Sequence, residues 1–172
     1  FTNFYGYDNA AFGAKALYKN SYGVFNTAIG CKSLEKNTVG DNNTAIGFSS
    51  LLQNTEGNHN TACGVSLIDN TTGNLNSALG YNALYYNKTG NKNTAVGSYA
   101  GWKSLADCNV FIGYQAGYYE TGSNKLFIDN QQRTNESDGR VKALIYGVFD
   151  ASPANQYLTI NGNVGIGTAT PT

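Results

Sequence analysis

Asn26-Thr27-Ala28-Ile29-Gly30 is followed seventeen residues on by Asn43-Thr44-Ala45-Ile46-Gly47. The frame returns as Asn60-Thr61-Ala62-Cys63-Gly64, Asn76-Ser77-Ala78-Leu79-Gly80 and Asn93-Thr94-Ala95-Val96-Gly97. Looser copies flank the series at 9–13 and 109–113. The frame glycines 13, 30, 47, 64, 80, 97 and 113 stand 16 or 17 residues apart, and Asp129 lies one further step on. Self-similarity at a fixed short period is the signature of a stacked repeat architecture, and it outranks residue-by-residue propensity.

Each period carries the same punctuation. Asn stands four before every frame glycine, Thr or Ser three before in most copies, Ala two before in the first six, and an apolar residue one before. Four after the glycine come Leu17, Leu34, Leu51, Ile68 and Leu84, then Gly101 and Gly117. Asn often follows at seven after and Gly at ten after. Turn residues every six to ten positions leave no room for a helix of ordinary length. Two short strands per period fit instead, so the expected unit is one coil of a parallel β-solenoid, each strand pairing with its copy in the next coil. Rungs about 4.8 Å apart make seven coils a rod roughly 35 Å long.

Stacking turns identical residues into ladders. Ile29, Ile46, Cys63, Leu79 and Val96 form one apolar rib, and Leu34, Leu51, Ile68 and Leu84 form another. Asn26, Asn43, Asn60, Asn76 and Asn93 can bond amide to amide up the stack, as identical side chains do in cross-β assemblies. Thr and the apolar residue share one strand face, while Asn and Ala share the other. Both faces are uniform and uncharged, and the coil encloses little. Burial against further copies of the chain is therefore expected.

Composition fits this reading. The chain has 172 residues, eleven basic and eleven acidic, with 13% charged residues, 21 Gly and 13 Tyr. Charge is scattered, so no basic patch suggests a nucleic-acid partner. No apolar run is long enough to cross a membrane as a helix. The chain has no Met and opens within the repeat pattern, as expected of a fragment of a longer protein. Three cysteines without paired spacing suggest neither a disulfide framework nor a metal site; Cys63, in an apolar slot, is expected to be a small buried hydrophobe.

The frame is similar to the repeats of phage tail-fibre proteins and of the YadA-like heads of trimeric autotransporter adhesins, whose motifs are of the Asn-Ser-Val-Ala-Ile-Gly type. Downstream, Lys125-Leu126-Phe127-Ile128-Asp129-Asn130, Leu144-Ile145-Tyr146-Gly147 and Tyr157–Thr168 resemble the series found just upstream of the endosialidase-type intramolecular chaperone of such fibres. The resemblance implies an extracellular homotrimer, on a virion or a bacterial surface, that attaches to a host-cell glycan or protein.

The expected architecture is all-β and trimeric: a β-solenoid, or β-roll, of 16–17-residue coils over residues 1–123, then a small strand-rich module over 124–172. Gln131–Arg140 reads as a polar loop. Gly162-Asn163-Val164-Gly165-Ile166-Gly167 lacks the following helix and the acidic residue that a dinucleotide loop needs. The lone His59 reads as a solvated turn residue. Asp41 with Glu56, and Glu136 with Asp138, are the only carboxylate pairs worth testing for glycoside chemistry, and turns account for them. No catalytic residue, cofactor or metal ligand is expected. Tyr85, Tyr86, Tyr99, Trp102, Tyr118 and Tyr119 are the candidate ligand contacts, with coverage of the open end of the stack as their structural alternative.

Overall fold

The computed structural model describes residues 5–164. Seven three-residue strands follow the period: β1 Ala10–Phe12, β2 Thr27–Ile29, β3 Thr44–Ile46, β4 Thr61–Cys63, β5 Ser77–Leu79, β6 Thr94–Val96 and β7 Val110–Ile112. β8 Lys125–Ile128, α1 Glu136–Lys142, β9 Ile145–Val148 and β10 Tyr157–Ile160 complete the fold. All ten strands form one sheet in chain order. Pairing is parallel from β1 to β8 and antiparallel from β8 through β9 to β10. The chain is thus a β-solenoid of about seven turns.

Each coil has one strand rather than the two expected. The second segment hydrogen-bonds from coil to coil, as in Leu34 N–H to Ser50 C=O at 3.0 Å and Thr38 N–H to Thr55 C=O at 3.0 Å. It is not extended, however. Leu17, Leu34, Leu51, Leu67 and Leu84 all hold φ between 49° and 52°. The residues before the frame Asn (Phe25, Asn42, His59, Leu75, Lys92 and Cys108) hold φ between 56° and 59°. Left-handed residues turn the chain sharply, so a coil closes in 16 or 17 residues, at about 1–2 kcal/mol for each non-glycine so placed. The frame glycines turn further still: at Gly30 φ is 128°, and a Cβ there would lie 2.5 Å from the Gly47 carbonyl oxygen.

The interior is half amide. Asn26, Asn43, Asn60, Asn76, Asn93 and Asn109 are buried, as is the second column Asn20, Asn37, Asn54, Asn70 and Asn87. In the first column Asn43 donates its backbone N–H to Asn26 Oδ1 at 2.9 Å and its side chain to Gly57 C=O at 2.8 Å, and later coils repeat the pattern. In the second, Asn54 Nδ2 donates to Asn37 Oδ1 at 2.8 Å and to Gly57 C=O at 3.0 Å. Buried polar groups in a coil this thin are tolerable because most find a partner one rung away; Asn87 Oδ1, beyond which the column changes to Ser104, has none.

The apolar core is a column of Ala28, Ala45, Ala62, Ala78 and Ala95 facing the Leu column. Leu67, not Ile68, holds the fourth Leu position; Ile68 is only half-buried. The 16-residue step from Gly64 to Gly80 loses its residue between Gly64 and Leu67, in the turn, so the strands stay in register. Where the Leu column gives way to Gly101 and Gly117, Phe111 and Phe127 replace Ala in the facing column. A Cβ on either glycine would collide with the Phe111 ring.

Two further expectations change beyond residue 123. β8 pairs in parallel with β7, and Asp129 donates its N–H to Ile112 C=O as the frame glycines do, so an eighth strand extends the solenoid. Within the expected loop 131–140, residues from Glu136 onward form α1 instead, with Asn135 Oδ1 accepting the Asp138 N–H at 2.9 Å as N-cap. Helix-terminus chemistry and i,i+4 ion pairs hold this short element without an apolar period. Of the glycine-rich segment, 165–167 lie outside the described residues.

Candidate binding surfaces

In a coil whose Asn and Ala side chains point inward, Thr and the apolar residue must point outward. The apolar rib is therefore on the surface: Ile29 is 41% exposed, Leu79 50% and Val96 40%. Cys63, expected to be buried, is half-buried in the same rib. Strand pairing carries the rib through the whole sheet, from Phe12 to Ile112, then Ile128, Ile145 and Ile160. Beside it run Thr27, Thr44, Thr61, Ser77 and Thr94, then Val110, Leu126, Gly147 and Leu158. Neither column contains a charged residue in any of the ten strands. At about 4.8 Å per rung this face is roughly 45 Å long.

The turn side is different in character. Tyr85, Trp102 and Tyr118 occupy one column on successive coils. Trp102 stacks on Tyr118 with centroids 4.7 Å apart, and Tyr86 meets it edge-on at 4.8 Å. Tyr99 closes on both Trp102 and Tyr118, and Tyr119 packs edge-on against Tyr118 at 4.7 Å. The Lys103 ammonium sits 4.7 Å from the Tyr119 ring centre. Burial, and then neighbouring phenols, raise the Tyr118 hydroxyl above its ordinary range; burial and Asp69 do the same for Tyr85. Rings one rung apart thus pack largely against one another, and Trp102 Nε1 is buried without a hydrogen-bond partner.

This aromatic column lies along the flank of coils, not across the end of the stack. The end is closed by α1 and β9: Tyr146 packs on Phe127 at 5.0 Å, and Gly139 is buried against the Phe127 ring. Arg140 bridges to the buried Glu120 and to Glu136, and Arg133 to the buried Asp129.

Asp41, Glu136 and Asp138 each hold structural bonds. Asp41 Oδ1 accepts the Val24 N–H at 2.7 Å. Glu136 binds Arg140, and Asp138 binds Lys142 and the Thr134 N–H. Asp41 also belongs to a third ladder that the sequence reading missed, with Asn58, Asn74, Asn91 and Asp107, each accepting a backbone N–H from the coil before. Its signal was legible two residues before Asn43, Asn60, Asn76, Asn93 and Asn109. His59 is exposed at a left-handed corner. Among the described residues, no group of three His, Cys, Asp or Glu side chains could hold a metal ion, and no helix is long and apolar enough to cross a membrane.

No protein-family model, curated protein or solved structure matches the chain.

Proposed function

We propose that this chain is a non-enzymatic structural and attachment segment of a trimeric phage or phage-like tail fibre. Three copies pack their Thr and apolar columns toward one axis and leave the turn sides outward. The outward surface, including Tyr85, Tyr86, Tyr99, Trp102, Tyr118 and Tyr119, meets a host-cell receptor, best read as a glycan. Multivalent display on a stiff rod raises avidity without any tight single site. A bacterial trimeric adhesin head has the same architecture and is the alternative; the module that follows in the parent protein distinguishes the two.

The carrying observation is the uncharged face that runs unbroken through ten strands. A contiguous exposed apolar surface of this length marks an interaction site. Sedimentation of the unheated protein tests the reading: three times 18.3 kDa is expected. The paired change Ile46→Lys, Leu79→Lys should return single chains, because like charges meeting at a shared axis are strongly unfavourable. A wild-type chain that sediments as a monomer overturns the trimer. It would favour instead an exposed Thr ladder that binds an ordered surface such as ice or crystalline polysaccharide. Receptor contact is tested separately by Trp102→Ala and Tyr118→Ala, with cell binding lost and mass unchanged as the supporting result.

A further inference from the structure

A chain this rich in Asn carries a chemical hazard. The backbone nitrogen after an Asn can attack the side-chain amide carbon and close a five-membered ring, provided that the nitrogen is free and the carbon approachable. Most ladder Asn offer neither. After the first column, Thr27, Thr44, Thr61, Ser77 and Thr94 each donate their N–H to the C=O of the next frame Asn at 2.8 Å. After the second, the Ser21, Thr38, Thr55 and Thr71 N–H groups donate to the following coil at 2.8–3.1 Å. After the third, His59, Leu75 and Lys92 donate to the preceding coil. The Asn side chains of the first two columns are buried as well.

Asn161 differs on every count. It is the only Asn in the chain followed by Gly, and both residues are exposed just beyond β10. Gly162 has no side chain to obstruct the approach and reaches backbone angles that other residues do not. Its N–H donates to no acceptor among the described residues. Asn161 itself is held through its two nitrogens, N–H to Leu144 C=O at 2.9 Å and Nδ2 to Ala143 C=O at 2.8 Å. The second bond holds the nitrogen that would leave, not the carbon that would be attacked. Together the two bonds tie the end of β10 to the end of α1, where Ala143 is the C-cap.

We infer that Asn161-Gly162 is a self-modification site, at which the chain deamidates while its ladders stay intact. The Gly162 nitrogen gives its proton to water and bonds to Asn161 Cγ; the Cγ–Nδ2 bond breaks and the amide nitrogen leaves as ammonia. Water then opens the ring at either carbonyl, leaving Asp or isoaspartate at 161. In sum, one amide and one water become one carboxylate and one ammonium, with no oxidation or reduction. Either product replaces the donor facing Ala143 C=O by a carboxylate, which can only accept. It also takes the chain from zero formal net charge to one negative charge. The tie between β10 and α1 is thereby cut, and the coils keep theirs.

The test holds the full chain warm at mildly alkaline pH, folded and in urea, and follows every Asn by peptide mass spectrometry. In the folded chain Asn161 should convert at least tenfold faster than any ladder Asn, with a more acidic species growing on isoelectric focusing. In urea the ladder Asn should speed up and Asn161 should not. Gly162→Ala should slow conversion at least tenfold; its Cβ would lie 3.2 Å from Leu144 Cδ1, the movable end of a side chain, so the fold is kept. Asn161→Asp, which stands for the product, should exchange the amides of Tyr157–Ile160 about fivefold faster, as expected for one lost hydrogen bond, with those of the coils unchanged. Ladder Asn that convert as fast as Asn161 in the folded chain overturn the inference. So does an Asn161 that folding slows at least tenfold, since its bond to Ala143 would then be protection. Unchanged exchange in Asn161→Asp overturns the loosening of β10.

Discussion

Asn60 shows what one residue does in this fold. Its Oδ1 accepts the Asn76 N–H at 3.0 Å, and its Nδ2 donates to Gly73 C=O at 2.8 Å and Asn43 Oδ1 at 3.2 Å. Asn60→Ala removes these and the bond that Asn76 Nδ2 donates to Asn60 Oδ1, and it leaves the buried Asn76 N–H without a partner, whereas Gly73 C=O and Asn43 Oδ1 keep Asn70 Nδ2 and the Asn60 N–H. The orphaned N–H costs about 1–3 kcal/mol and each further lost bond about 0.5–1.5 kcal/mol, so a loss of about 3 kcal/mol or more is expected in urea denaturation. A loss below about 1 kcal/mol would mean that water replaces the amide. These ladders were legible in the sequence because identical residues recur at fixed steps. Which strand face lies inside was not legible. Alternation separates Asn and Ala from Thr and Ile, and intuition would bury Ile. The left-handed residues that set the curvature decide otherwise, and nothing in the residue types of Lys32 or Leu34 announces a φ of 61° or 49°. The same blindness placed Ile68 in the core, since the missing residue lies before Leu67 and not after it.

Elements show how the fold compensates. Phe111 fills the space that Leu fills in earlier coils, between Gly101 and Gly117. Phe111→Ala should cost about 3–5 kcal/mol. Adding Gly101→Leu, which restores the pairing of the earlier coils at a backbone angle that Leu84 already tolerates, should recover more than half of that loss in a double-mutant cycle. Independent effects would show that the columns do not trade volume. α1 is held by charge instead. Burial alone would raise Glu136, but the bonds it accepts from Thr121 and the Arg140 guanidinium hold it below the ordinary carboxylate range. Lys142 and the Thr134 N–H do the same for Asp138. Carboxyls depressed in the folded state lend stability above their unfolded values, about 4, and lose it as pH falls through the folded ones. Carbon chemical shifts of residues 136–142 should therefore lose helical character below about pH 4, before those of coils 2–6 change. Simultaneous loss would show that the cap has no separate fastening. This element escaped the sequence reading because a seven-residue helix with Gly139 inside carries no apolar period.

For the whole molecule, every coil touches only its neighbours, so stability is a sum along a line. Among the described residues, Ala11 and Phe12 of the first coil are exposed, while Glu120 and Asp129 are buried and held by Arg140 and Arg133. Amide exchange should therefore slow progressively from coil 1 toward coils 5–7, as measured by mass spectrometry of exchanged peptides. A flat profile would indicate all-or-none opening. The candidate surfaces divide along the same geometry, the uniform one on the strands and the varied one on the turns, which is why the first was readable from repetition and the second only from ring contacts.

Coil lengths of 16 and 17 residues coexist here without a single slip in strand pairing, since every shortening falls in a turn. The two sides can therefore drift at different speeds. Turn residues can be lost or exchanged as a target on another surface changes, while the strand side keeps its count like the teeth of a gear and stays interchangeable with every older copy.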